Sequence, residues 1–586
     1  MRFRTGDKPG RIGRTAAALA FGSSMVGAAG LVGVAPADAA AASRQAVASV
    51  AAKKAAASAK AITKAGSKTA TKTSASAQAK AAAKAKAAAR AKAAAKARAA
   101  ARAAAKAKAA ARAKARAAAS AKAAAAAKAR AVATAAAVKR PVQVAAVVRT
   151  VRVNSAGTLA VAVRAAKPGD RIELSAGAYL LLDTLEVEAS GTASAPIVIA
   201  AAAGARPEIR GPGSLEIEGS YVTIDGLTFR NADTVKVSAS AKHARVTRNT
   251  FRLAQAAVNW LSVAGDDAEV DHNQFIGKQS AGVFLQIIGP GSSTMAQRVW
   301  VHHNYFADHS FGGSNGGEAL RLGVSARQHS AAYAVVEDNL FERVNGDPEA
   351  ISVKSSGNVI RRNTIRDSKG TITLRHGNNN LVDSNLLIGG TTGIRVFGND
   401  QTVINNVVQD STRNRLIEVG GGDLRDDHAS QDDHDAADRV LVAFNTVVTS
   451  AKTATALNIG DDDDDFAPDT VTVANNILVS GKRAAQAERG WRLTWVGNLG
   501  TGTLDGVPAG FRAADPKLVK DSGGVYRPAA GSAALGSAIG SYTVVLLDVD
   551  GQTRPTAKRS VGADEPATGP VPNRKPATRL TLGLPT

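Results

Sequence analysis

Residues 335–388 read VVEDNLFERVNGDPEAISVKSSGNVIRRNTIRDSKGTITLRHGNNNLVDSNLLI. One short pattern returns three times in this stretch. An aliphatic residue is followed three positions later by asparagine, and then usually by an apolar residue: VEDNLF (Asn339), IRRNTI (Asn363) and VDSNLL (Asn385). Upstream the same pattern occurs as VTRNTF (Asn249), VDHNQF (Asn273) and VHHNYF (Asn304). Downstream it occurs as VINNVV (Asn406), VAFNTV (Asn445) and VANNIL (Asn476). Successive asparagines lie 24, 31, 35, 24, 22, 21, 39 and 31 residues apart. The shortest spacings define one unit, and the longer ones are that unit with inserted loops. A period of this kind means stacked units, none of which can bury its apolar face alone.

The units are strands. Apolar and polar residues alternate in I-S-V-K, I-T-L-R and V-T-I-D, β-branched residues are frequent, and no heptads occur. Turns of this length made of short strands describe an all-β solenoid, the parallel β-helix. Its inward residues form a dry core, and an asparagine at one place in every coil stacks on the next at the inter-strand spacing of about 4.8 Å. A propeller needs longer repeats, and a leucine-rich solenoid needs a leucine pattern that is missing. The open first coil needs a cover. The amphipathic segment Leu159–Ala166, ended by Pro168-Gly169, predicts a short capping helix. Phe511–Leu518, Tyr526–Gly536 and Val561–Glu565 read as closing structure at the other end, and the tail 566–586 as disordered.

Composition divides the chain of 586 residues sharply. The formal charge of +25 looks like that of a nucleic-acid binder, but residues 41–140 alone carry 25 Lys or Arg and no acid. Residues 1–40 carry +3, and the remaining 446 carry −3. The solenoid is therefore nearly neutral, and 40–143 is an Ala/Lys/Arg-rich low-complexity arm. That arm reads as a solvated spacer or as an electrostatic tether for polyanions such as acidic polysaccharide or anionic cell wall. Ahead of it, 1–39 has the parts of a secretory signal peptide: a basic start (Arg2, Arg4, Lys8, Arg11, Arg14), an apolar run from Ala16 to Val34, and Ala37-Asp38-Ala39 as a small-x-small cleavage site. The glycines and serines in that run disfavour a membrane anchor, so a secreted, extracellular protein with no membrane span in its mature form is expected. Cysteine is absent, which excludes disulfides, thiolate nucleophiles and Cys-ligated metals.

Strand parity marks one face as unusual. In ALRLG, AISVKS, TITLRHG and GIRVFG the aliphatic residues face the core. That places Arg321, Ser352, Thr373 and Arg395 in one outward column, and Lys354 and Arg375, 21 residues apart, in the next. Four cations on one face are costly unless an anion lies on them. Oxygen donors stand near: Asn315 and Glu318 in NGGE, Asp347 and Glu349 in NGDPEA. Asp347 and Glu349 have opposite parity to Lys354, so all three share a surface only if the chain bulges near Ala350. Two carboxylates and an amide carbonyl suit Ca²⁺, but spacing alone equally allows the acids simply to pair with the cations. The loop Gly421–Arg439 and the run Asp461–Asp465 read as solvated insertions, the first able to lean over the groove.

NGGEALRLG, VEDNLFERVNGDPEAISVKS, TITLRHG and GIRVFG resemble the signature of polysaccharide lyase family 6, the alginate lyases and chondroitinase B. The resemblance runs from about Arg149 to Glu565 and is strongest over 315–398. It implies a right-handed parallel β-helix, 144–565, acting as a lyase on a uronate-containing acidic polysaccharide, alginate ahead of dermatan or chondroitin sulfate. It further implies Lys354 as base and Arg375 as acid, with Asn315, Asp347 and Glu349 as calcium ligands. Arg321, His376 and Arg395 fall at substrate-binding positions. Asp347 departs from the family, which often has glutamate there. A hydrolase on the same fold would need two carboxylates across the bond and no catalytic lysine. A non-catalytic glycan-binding or adhesive β-helix is the other alternative.

Overall fold

The computed structural model describes residues 147–566 and 571–584, except 255–256, 314, 427–432 and 462. The signal-like start and the basic arm lie outside the described residues. From Arg149 to Val496 the chain winds through stacked coils whose strands pair in parallel with the coils before and after. One sheet of 14 strands runs from Arg149–Val153 to Thr494–Val496. A second, larger sheet contains two further stacks. One of these holds Tyr305–His309 and Leu340–Val344, and the other holds Leu320–Gly323 and Glu349–Lys354. The fold is a parallel β-helix, as the repeat requires, and right-handed, as the family resemblance implies.

The asparagine ladder explains why the coils stay in step. The backbone N–H and side-chain amide of Asn363 both donate to the Asn385 Oδ1, at 3.0 Å each. The same pair of bonds links Asn249 to Asn273, and every next rung to Asn476. A further rung, Asn476 to Asn498, lies beyond the pattern read from sequence. The residue before each rung is left-handed, from Arg248 (φ 54°) to Asn475 (φ 54°), which turns the chain sharply from the first sheet into the second. Such conformations cost free energy in non-glycine residues, and the buried amide bonds offset that cost. Inside the coil, Phe229, Phe251, Phe275, Phe306 and Phe341 stack with centroids 4.5–4.9 Å apart. Phe251, Phe275, Phe306 and Phe341 each stand two residues after a ladder asparagine, and Phe229 stands two after Leu227, one coil before the ladder begins.

The capping helix spans Ala156–Arg164, a few residues earlier than the sequence predicts, because Ser155 and Thr158 form a reciprocal capping box. It buries Leu159, Ala162 and Val163 over the first coil. The C-terminal stretch differs from expectation. Residues 571–584, read as disordered, lie against the coils. Arg574 donates to the backbone carbonyls of Arg362 and Ser384, and Leu582 and Leu584 are buried beside Tyr305 and Leu340. The composition of the tail hid this, since its contacts come from a few scattered residues: Leu582, Leu584, Arg574, Arg579, which donates to Gln274, and the Ala577 N–H, which donates to Thr364.

Candidate active site

The site lies on the third stack of strands. In register, Gln286, Arg321, Ser352, Thr373, Arg395, Glu418 and Asn458 follow one another across successive coils, so the outward column stands as parity placed it. The second column does not. A register shift between Val353 and Lys354 sets Lys354 opposite His376, and Arg375 becomes the extra residue. A second shift, between Glu349 and Ile351, falls at Ala350, where a bulge was needed to bring the acids and the lysine to one surface. A bulge re-aims side chains out of strict alternation, and here Glu349–Lys354 buries all six of its residues and Thr371–His376 five of six.

Two ion-pair systems form the floor. The Lys354 ammonium donates to Glu318 Oε1 at 3.3 Å, and Arg321 approaches the same oxygen at 3.7 Å. Arg375 donates to Glu349 Oε1 at 3.1 Å, with Arg395 4.0 Å from that oxygen and 3.3 Å from Glu418. Asp347 is buried between these systems. Its carboxylate accepts from the backbone N–H groups of Glu349 (3.1 Å) and Gly317 (3.4 Å). Burial, reinforced by the nearby Glu318 and Glu349 charges, pushes Asp347 up to about 6. The loops carrying these acids touch at two glycines. A Cβ on Gly317 would lie 2.4 Å from the Gly346 carbonyl oxygen, and one on Gly346 would lie 2.5 Å from that of Gly317. The NGG and NGD sequences are thus required by the approach of the two loops.

Not every candidate sits as sequence placed it. Asn315 is exposed, while Asp347 and Glu349 are buried. Arg321 and Arg395 are partly exposed in the groove. His376 is buried, its Nε2 3.1 Å from the Ser325 hydroxyl. Burial, with the nearby His434 and the positive charges of Arg375 and Lys354, pushes it down to about 3, and it is neutral. Sequence reasoning missed His434, whose ring lies 4.1 Å from Phe397 and 6.0 Å from His376. Only its place in an insertion able to lean over the groove pointed to it.

Several polar atoms here are buried without a hydrogen-bond partner among the described residues: Glu318 Oε2, Arg321 Nε, Ser352 Oγ, His376 Nδ1 and His434 Nε2. Buried polar groups are otherwise almost always paired, so their concentration along one groove marks a surface built for a polar ligand. Glu318, Asp347 and Glu349 do not all bring ligand atoms within 4.8 Å of one another; among the described residues, the acid and histidine clusters of three that do are Glu269, Asp271 and His302, and Asp548, Asp550 and Asp564. Both are already paired with arginines, Arg245 and Arg527.

A parallel β-helix with a groove of alternating cations and carboxylates defines the class of the molecule. Comparison with known proteins gives the family. The sequence model of the chondroitinase B family matches residues 153–499. The alginate lyase AlyGC, of polysaccharide lyase family 6, superposes with TM-score 0.58 at 27% identity, over 65% of this chain and 55% of that one. The chain thus spans about half the length of that enzyme. A mannuronic-acid-specific family 6 lyase from human gut microbiota shares the fold at 24% identity, with TM-score 0.54, over 63% of this chain and 91% of that one. No curated protein matches by sequence. The chain belongs to the chondroitinase B family, polysaccharide lyase family 6.

Proposed function

We propose that this protein is a secreted lyase that cleaves a uronate polymer, alginate, by β-elimination. One observation carries the reading: a lysine and an arginine on paired strands face a groove in which three buried carboxylates converge beside them. AlyGC, by name an alginate lyase, is a relative above 25% identity, and the family description names chondroitinase, so dermatan or chondroitin sulfate is the alternative substrate.

Elimination removes the hydrogen on C5, next to the uronate carboxylate, as a proton, and expels the oxygen on C4. Lys354 takes the proton as the free amine, its ammonium having first passed its own proton to water and released Glu318. The C5–H electron pair becomes the C4–C5 double bond as the C4–O bond breaks, and the leaving oxygen receives a proton. Arginine rarely surrenders its own, so Arg375 stabilises that oxygen electrostatically and a water at its edge delivers the proton. Arg321 and Arg395 hold carboxylates of neighbouring sugars. His376 stays neutral, which keeps one more positive charge away from Lys354.

Calcium fits this site. Hard oxygen donors suit it, burial first and then the Glu318 and Glu349 charges hold Asp347 up, and Glu318 keeps one buried oxygen without a partner among the described residues. Asp347 and Glu349 would hold the ion, with Asn315 at the rim and Glu318 within reach. Bound there, it would neutralise the uronate carboxylate and so acidify the C5 hydrogen. Among the described residues no helix is long and apolar enough to cross a membrane. Export rests on the signal-like start, and the basic arm serves as a tether to anionic polymer or cell wall.

The test is ultraviolet absorbance of the unsaturated product with alginate and with dermatan sulfate, with and without chelator. Absorbance on alginate, lost with chelator and restored by calcium, is expected. No absorbance on any uronate polymer would leave a binding protein.

A further inference from the structure

The strand next to Arg395 in the groove stack, Arg415–Val419, leads into the insertion Gly420–Arg439. Its two described limbs are tied down rather than loose. Leu424 N–H donates to the His434 carbonyl at 3.1 Å, and Ala436 N–H returns a bond to Leu424 at 2.9 Å. The His434 N–H donates to Asp423 at 3.0 Å. The second limb is fixed to the groove strands as well: Gly398 N–H donates to Asp435, and Ala437 N–H to Gly420. At Gly422 a Cβ would lie 2.4 Å from the His434 carbonyl oxygen, so the limbs approach as closely as glycine allows. Both backbone groups of His434 are therefore fixed.

This fixed backbone aims the imidazole at the groove. The ring is half-buried against Phe397, whose ring also carries the Arg395 guanidinium 5.1 Å from its centroid. The shared Phe397 ring sets the imidazole beside Arg395, and burial first, then the Arg375 and Arg395 charges, oppose its protonation. Its Nε2 has no hydrogen-bond partner among the described residues. An aromatic edge with an unused hydrogen-bonding nitrogen, placed next to a carboxylate-binding arginine, has the make-up of a sugar-contacting wall. Nothing in the stacking of the coils requires it, since the Asn406–Asn445 rung below is complete without it.

We propose that His434 is a substrate-positioning residue, packing against and hydrogen-bonding the uronate unit whose carboxylate Arg395 holds. This rests on the lyase reading above and adds a subsite wall to it. The wall comes from an insertion and not from the repeating coils. It confines the sugar beyond Arg375 and so raises affinity without taking part in proton transfer.

The test compares wild type with His434→Ala and His434→Gln on alginate trisaccharide and on polymer. His434→Ala should raise KM about tenfold, the scale of one lost hydrogen bond to a charged ligand, with kcat within about twofold. His434→Gln, which keeps a donor at similar reach, should recover part of that loss. In Lys354→Ala protein, a readout without turnover, the His434 imidazole ¹⁵N signals should move when trisaccharide is added. Unchanged KM for His434→Ala together with unmoved signals would overturn the proposal. If wild type gives no unsaturated product at all, the lyase reading fails instead, and the ¹⁵N shifts still decide whether His434 contacts a uronate.

Discussion

The outward column that carries the site runs back, in unbroken register, into coils that carry none. Glu186, Glu216, Lys236 and Ser262 precede Gln286 and Arg321 in the same column. In the early coils the strands Leu215–Ile217 and Val235–Val237 are three residues long, pair without a register shift, and leave their middle residue partly exposed. In the later coils Glu349–Lys354 and Thr371–His376 are six residues long, are bulged twice against each other, and bury charged groups. One scaffold thus gives a solvated face at one end and a site at the other. The difference lies in strand length, in bulges, and in loops drawn together at Gly317 and Gly346. Charge alone does not make the site, because Lys236 and Glu216 are charged too.

The largest expected effect breaks the comparison at its centre. Lys354→Ala should lower turnover at least about a hundredfold, as loss of a general base does, with an unchanged circular dichroism spectrum. Retained turnover would remove Lys354 as base. Asn363→Ala tests what both regions share. It removes the acceptor of two Asn339 donors, and the carbonyl of Val336 loses its partner. A loss of about 3 kcal/mol in denaturant unfolding is expected. If the loss were below about 1 kcal/mol, the ladder would be a consequence of the stacking and not a cause.

Acid should distinguish the regions. His309 and His376 are buried and uncharged, pushed down to about 4 and about 3, in each case chiefly by burial. In the unfolded chain each titrates near 6.5. A folded value below the unfolded one means that stability is complete above about pH 6.5 and falls as the pH drops toward the folded values. At pH 5 each group should cost about 2 kcal/mol. Amide exchange should therefore open the coils of the groove before those of residues 185–263. A His376→Gln variant should flatten that dependence; an unchanged pH profile in the variant would place the acid sensitivity elsewhere.

How much of this was legible in sequence follows from what each feature depends on. The repeat, the ladder and the column of Arg321, Ser352, Thr373 and Arg395 depend on local alternation and a constant period, which the residues themselves display. The bulge at Ala350 was legible as a requirement, since the acids and Lys354 could not otherwise meet. The shift at Val353 was not, and it moved Lys354 from Arg375 to His376. A count of 21 residues gives the length of a coil but not where its extra residue sits. His434 and the tail leucines Leu582 and Leu584 were out of reach for another reason. Their partners are far along the chain, and no periodicity announces an insertion's or a tail's resting place.

The smallest expected effect is the most exacting test of the comparison. Lys236 and Glu216 form an ion pair at 3.4 Å on the same column, with side chains 43% and 20% exposed. Glu349 and Arg375 form one at 3.1 Å with side chains 5% and 20% exposed. Exposed pairs contribute about 0–1 kcal/mol because water screens them and the side chains lose freedom. Removing one partner of a buried pair leaves a desolvated charge and costs several times more. Lys236→Ala should therefore change unfolding free energy by less than about 0.5 kcal/mol and leave turnover untouched. Arg375→Ala should destabilise the groove coils, and a Glu349→Gln/Arg375→Ala double variant should regain part of that loss. Equal costs for the two single variants would mean that burial, and not position on the column, had been misjudged as the source of the difference.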